Sequence, residues 1–143
     1  MTLVLDASVT LAWLLADGKM AGQRYALAVL DAMKVPETVA EVPVTWGLEV
    51  ANVLARGEGK GLITEAQSEA FLEMLAGIRI NPDAATFPRS LTEILQLARR
   101  YRLSSYDASY LELSLRSGLP LATLDADLQK AAKKAGIKRF NPG

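Results

Sequence analysis

The sequence contains neither cysteine nor histidine. Without cysteine there are no disulfides, thiol nucleophiles or zinc–thiolate sites, a composition that suits a reducing compartment. Without histidine there is no Ser-His-Asp triad, no imidazole-ligated zinc and no imidazole acid–base catalyst. Excess charge of either sign is missing too. Sixteen Lys and Arg balance 16 Asp and Glu, so no whole-molecule field draws the chain toward nucleic acid, and any such binding must come from local patches. No apolar run approaches the roughly 20 residues that span a bilayer. The nearly uncharged stretch Val9 to Ala16 has no basic segment ahead of it and is preceded closely by Asp6, so it does not read as a secretion signal. These absences predict a soluble, cytoplasmic protein with no membrane association, whose chemistry falls to oxygen-bearing side chains.

What is present is apolar residues and acids. Half of the 143 residues are hydrophobic, enough for one domain spanning residues 1–143 to bury a core. Thr2-Leu3-Val4-Leu5 runs into Asp6, after which Val9, Leu11, Trp13, Leu14 and Leu15 follow a helical pattern. This predicts a buried strand with Asp6 at its carboxyl end, then a helix over 8–15 ending near Asp17-Gly18. Further helices are expected over 20–33, from an N-cap at Thr45 to the turn Gly57–Gly61, from Thr64 to Ala76, and from Pro88 to the basic cluster Arg99, Arg100 and Arg102. Two more follow, one capped by Ser105 or Asp107 and ending at Gly118, the other over 125–135. Strands are expected over 38–43, 78–81 and 120–124, with an edge strand at 137–140. Strands alternating with helices imply an α/β fold, a parallel sheet with helices on both faces. In such sheets ligands bind beyond the carboxyl ends of the strands.

Several acids can reach that edge. Asp6, Asp107 and Asp125 each precede an apolar helical run, so each is open to the plain reading of a helix N-cap or first-turn acid worth about 1 kcal/mol. Asp6 and Asp125 also directly follow a strand. Glu49 lies mid-helix among Leu48, Val50, Ala51 and Val53, where an unpaired carboxylate is costly and a cation would relieve it. Asn52, almost one turn on, shares its face and could orient it, although a surface amide is the plainer reading. Asp127 is a spare for Asp125, and Glu112 reads as a solvated acid. Clustered carboxylates cannot all ionise cheaply, and oxygen ligands suit Mg2+ or Mn2+. With no histidine or cysteine, such a cluster points to metal-assisted phosphodiester hydrolysis.

The ordered blocks Leu3-Val4-Leu5-Asp6-Ala7-Ser8, Glu49-Val50-Ala51-Asn52-Val53-Leu54, Tyr106-Asp107-Ala108-Ser109-Tyr110-Leu111-Glu112-Leu113 and Leu121-Ala122-Thr123-Leu124-Asp125 resemble those of PIN-domain ribonucleases. In length and block spacing the chain is most similar to the VapC toxins of toxin–antitoxin pairs. The resemblance implies a three-layer α/β/α sandwich and a Mg2+- or Mn2+-dependent endoribonuclease acting on structured RNA, often transfer or ribosomal RNA. By position, Asp6 and Asp107 would be the main metal ligands, and Glu49 and Asp125 would complete the acidic pocket. Thr123, with Ser8 and Asn52, would hydrogen-bond around them. A homodimer and inhibition by a cognate antitoxin protein are implied as well. The second acid at Asp127 leaves two candidates for the fourth ligand.

Rival readings fit less well. A haloacid-dehalogenase-type phosphatase needs an acid two residues after the first, where this chain has Ser8. A receiver domain needs an adjacent acidic pair. A DNA nuclease, an RNA-processing nuclease without an antitoxin and a non-catalytic nucleic-acid-binding module are the remaining alternatives. Arg99, Arg100 and Arg102 could contact phosphates or simply complement a helix dipole, and Lys130, Lys133, Lys134, Lys138 and Arg139 read as a solvated face.

Overall fold

In the computed structural model of the chain, residues 1–15 and 20–143 are described, the side chain of Met20 excepted. Four strands, β1 (Thr2–Leu5), β2 (Val39–Pro43), β3 (Arg79–Asp83) and β4 (Leu121–Ala122), form one all-parallel sheet in the order β3-β2-β1-β4. Eight α-helices accompany them among the described residues: α1 (Ala7–Ala12), α2 (Met20–Met33), α3 (Trp46–Gly59), α4 (Glu65–Ala76), α5 (Thr86–Arg89), α6 (Leu95–Tyr101), α7 (Ser105–Ser117) and α8 (Ala126–Lys134). A parallel sheet must be covered on both faces, and β1 shows how. Leu3 and Leu5 enter a cluster with Val9, Ala26, Val29 and Met33, while Val4 points the other way to Tyr110, Leu111, Leu121 and Leu128. The period of two thus divides three consecutive apolar residues between two cores. A third cluster, with Val50, Leu54, Ile63 and Phe71, ties α3 to α4.

The expected elements are present, with informative shifts. Pro88 does not start its helix; α5 begins at Thr86, which puts proline third, where its missing N–H is unneeded. The single long helix expected after it is interrupted by a π-helical segment over Ser90–Ile94, in which Leu91 is left exposed and Ile94 is buried. The turn expected at Gly57 is helical through Gly59. A Cβ at Gly57 would lie 3.1 Å from the Ile63 side chain, so the glycine serves close packing of the returning chain, not a turn. Pro82 is accommodated because β3 is the sheet edge. The expected strand at 137–140 is reduced to one parallel bridge, Leu121 to Arg139. The end of the first helix near Asp17-Gly18 lies outside the described residues. No helix among the described residues is long and apolar enough to cross a membrane.

The largest correction concerns Glu112. It is 3% exposed, because α7 lies between the sheet, α6 and α8 and is buried over every residue from Ala108 to Ser114. Its carboxylate accepts from Arg89 Nε at 2.7 Å and Arg116 Nε at 2.9 Å, and Arg116 also pairs with Asp83 at the end of β3. Leu115, which helical spacing from Ala108 and Leu111 would put on the core face, is 42% exposed because the buried part of α7 ends before it. Replacing Glu112 by Ala would remove one partner from two guanidiniums; since Arg116 keeps Asp83, Arg89 keeps Glu93 and both are partly exposed, the expected cost is about 2–3 kcal/mol, below that of a fully buried broken pair. Urea denaturation of Glu112→Ala beside the parent protein measures it, with Glu112→Gln expected to cost less.

Candidate active site

β1 delivers Asp6 to the carboxyl edge of the sheet, where it is the N-cap residue of α1 with extended backbone angles. Its side chain does not cap the helix. Oδ2 instead accepts from Ser8 Oγ at 2.5 Å and from Thr123 Oγ1 at 2.7 Å. Thr123 directly follows β4, so the β1–β4 register, Leu5 opposite Ala122, brings it beside Asp6 from across the chain. Both hydroxyls are fixed in turn: Leu124 N donates to Ser8 Oγ at 2.9 Å and Asp125 N to Thr123 Oγ1 at 3.0 Å. Asp6 is 4% exposed. Burial pushes its carboxyl above the ordinary aspartate range, the two hydroxyls oppose that shift, and Asp125 adds repulsion.

The other acids come from helix N-termini around this edge. Glu49 sits in the first turn of α3, where Tyr110 donates its hydroxyl to Oε1 at 3.0 Å. Its carboxyl is pushed up to about 7 by partial burial, against the help of Tyr110, with repulsion from Asp6 and Asp107. Thr45 occupies the N-cap position of α3 but makes no side-chain capping bond. Asp107 is in the first turn of α7. The capping side chain there is Ser104, ahead of the two residues expected, and it accepts from Asp107 N at 3.1 Å, leaving the Asp107 carboxylate uncommitted. That carboxyl is raised to about 6, by burial first and then by Asp125 and Asp6. Asp125 caps α8, accepting from Leu128 N at 2.8 Å, so the plain helix-cap reading holds for it even as its charge acts on Asp6 and Asp107. Asp127, exposed in the first turn of α8, also raises Asp107, as the smallest named contribution. Between them, α3 and α7 wall a groove of about 850 Å3 that contains Glu49, Asn52 and Asp107. Asn52 is exposed and makes no hydrogen bond to Glu49 in the structure.

Tyr110 is the site residue that sequence reasoning missed. It is fully buried, and three residues after Asp107 it shares that face of α7; this spacing was the available signal. The basic clusters are not part of the lining of that groove. Arg99, Arg100 and Arg102 are exposed at the end of α6, where Arg100 lies over the Tyr101 ring, and Arg139 lies 3.8 Å from the Tyr25 ring centroid.

The donor set suits a hard divalent cation. It consists of carboxylate and hydroxyl oxygens, and among the described residues no Lys or Arg forms an ion pair with Asp6, Glu49, Asp107 or Asp125. Also among the described residues, no three acids stand close enough together, as placed, to hold a metal ion between them. Mg2+ does not require three, since it keeps several waters and is commonly held by one or two carboxylates.

The profile of the PIN domain family matches residues 3–134. The fold is also similar to the crystal structure of PAE2754 from Pyrobaculum aerophilum, with a TM-score of 0.65 at 22% identity over 92% of this chain and 87% of that one. No curated relative matches the sequence significantly.

A carboxyl whose folded pKa lies above its unfolded value makes the native state bind more protons than the unfolded chain, so stability falls as pH rises between the two values. For Glu49 that window runs from 4.5 to about 7, and for Asp107 from 3.8 to about 6. Metal-free protein is therefore expected to melt at higher temperature near pH 5 than at pH 7.5. Mg2+ or Mn2+ is expected to raise the melting temperature more at pH 7.5, as read by differential scanning fluorimetry. Thr123→Val removes the 2.7 Å donor to a buried carboxylate and should cost about 1–3 kcal/mol in chemical denaturation.

Proposed function

Because the chain belongs to the PIN domain family, whose members are typically metal-dependent nucleases, we propose that it is a Mg2+- or Mn2+-dependent endoribonuclease. Its substrate on this reading is structured cellular RNA, transfer or ribosomal RNA in particular, and it acts as the toxin of a toxin–antitoxin pair. The observation that carries the reading is the buried Asp6, which among the described residues has no basic partner and accepts from the Ser8 and Thr123 hydroxyls, with Glu49, Asp107 and Asp125 close enough to raise carboxyl pKa values at the same edge. Acids maintained at that electrostatic cost point to a use for the charge.

Asp6 and Asp107 would hold the ion, with Glu49 and Asp125 completing the pocket. A bound Mg2+ or Mn2+ supplies Lewis-acid polarisation of the phosphodiester and a lower pKa for an attacking water. Ser8 and Thr123 fix the Asp6 carboxylate. Glu49, whose carboxyl burial raises above the ordinary glutamate range, offers a proton acceptor at the oxygen that Tyr110 leaves free. Asp125 keeps its place by capping α8.

A homodimer and a cognate antitoxin partner belong to the same proposal. Phe87 and Leu91, four residues apart and 83% and 85% exposed, support pairing with a second copy. Exposed apolar pairs of this kind mark contact surfaces more often than free ones.

The test is total cellular RNA incubated with purified protein in Mg2+, in Mn2+ and in EDTA. Discrete products are expected with either ion and none with the chelator. Asp6→Asn is expected to lose more than the 10–100-fold typical of residues that only support a ligand. Expression of the parent, but not of Asp6→Asn, should arrest bacterial growth. Intact RNA under every condition from folded, antitoxin-free protein would sink the ribonuclease reading.

A further inference from the structure

We propose that the cavity between α8 and the closing segment of the chain, at the free edge of β4, binds a free nucleoside monophosphate. It is a second site, separate from the acidic groove, and it does not depend on the ribonuclease reading.

The cavity measures about 240 Å3 and shares no lining residue with the groove of Glu49 and Asp107. Leu121, Ala132 and Ile137 supply its apolar lining, Thr123 and Gln129 its polar part, and Lys133, Lys138 and Arg139 its charge. The walls are fixed. Leu121 N donates to Lys138 O at 3.0 Å, Phe140 N to Leu121 O at 2.9 Å and Ile137 N to Ala132 O at 2.9 Å. Phe140 is buried, and its carbonyl accepts from the Tyr25 hydroxyl at 2.8 Å. The closing segment is thus pinned to the sheet and to α2, and a site held in shape before its ligand arrives loses less on binding.

Three cations gather here with no acid opposite them: among the described residues, none of Lys133, Lys138 and Arg139 forms an ion pair. The dipole of α8 accounts for Lys133, in its last turn. It does not account for Lys138 and Arg139, which lie beyond the helix. Lys133 and Lys138 are exposed, so stems that run along an apolar lining keep their ammoniums in water, at the mouth. Arg139 is steadied over the Tyr25 ring. The mouth therefore attracts an anion while the interior accepts an apolar body. Gln129 adds direction: its Nε2 donates to Thr123 O at 2.9 Å, which orients the amide and leaves Oε1 to accept from a ligand. A planar heterocycle with an exocyclic amine and a phosphate meets all three demands, and adenosine monophosphate is such a molecule. At ~30 Å3 per water the volume corresponds to about eight waters. That is room for a single base, with its phosphate left among the cations.

The probe is adenosine monophosphate titrated calorimetrically into the parent protein at low salt in EDTA, so that no metal ion can carry the phosphate to the acids. One saturable site is expected. Adenosine, which lacks the anion, and inorganic phosphate, which lacks the base, should each bind at least about tenfold more weakly. Lys133→Ala and Lys138→Ala should each weaken the nucleotide about tenfold, the loss of one hydrogen bond to a charged group. Both positions are exposed, and unchanged melting temperatures verify that the variants fold. No saturable binding, or binding indifferent to both lysine variants, overturns the proposal. Inorganic phosphate that binds as tightly as the nucleotide also overturns it, reducing the cavity to an anion site, and adenosine that binds as tightly shows that the cations take no part. With neither RNA nor metal in the cell, failure here leaves the ribonuclease reading untouched, and failure of that reading leaves this result standing.

Discussion

The structure turns on one electrostatic constraint: several carboxylates are held at one edge of a parallel sheet with no basic side chain among the described residues to neutralise them. Asp6 is the extreme case. Its burial disfavours the charge, and the relief it receives comes from the Ser8 and Thr123 hydroxyls, with a smaller part from the Ser8 backbone. Much of the surrounding architecture serves that arrangement. The pairing of β1 with β4 places Thr123, the end of β1 starts α1 at Asp6, and the first turns of α3 and α7 bring Glu49 and Asp107 to the same mouth.

A second buried carboxylate in the same molecule shows the contrasting solution. Glu112 is almost as inaccessible as Asp6, yet it is given two guanidiniums, one of which also holds Asp83 at the end of β3. An acid treated this way is spoken for by its ion pairs, and its role is to join α5, α7 and β3. An acid given only hydroxyl donors keeps its negative potential for something outside the chain. The two ends of α7 thus divide the labour: Asp107 lines the groove and buried Tyr110 bonds Glu49, while Glu112 and Arg116 brace the helix that carries them.

The order of strands and helices could be read from the sequence because its apolar periodicity changes cleanly at Asp6, Thr45 and Ser104. The convergence of Asp6 and Asp125 followed from their place directly after buried strands. Other features depend on distant partners. Glu112 looks like a surface acid until α7 is known to be enclosed and Arg89 arrives from another helix. Gly57 looks like a turn until Ile63 folds back against it. The π-helical segment follows from no propensity in Ser90–Ile94. The spacing of Tyr110 from Asp107 signals only a shared face of α7, whereas its bond to Glu49 spans 61 residues of sequence and depends on where α3 packs.

The account stands most directly on where a divalent ion goes. Crystals of the parent protein soaked in Mn2+ and measured at the manganese absorption edge would locate it by anomalous scattering. The account predicts a peak at the sheet edge, in contact with the Asp6 and Asp107 carboxylates and within the reach of Glu49 and Asp125. No peak there at saturating Mn2+, or a peak elsewhere on the molecule, would contradict it.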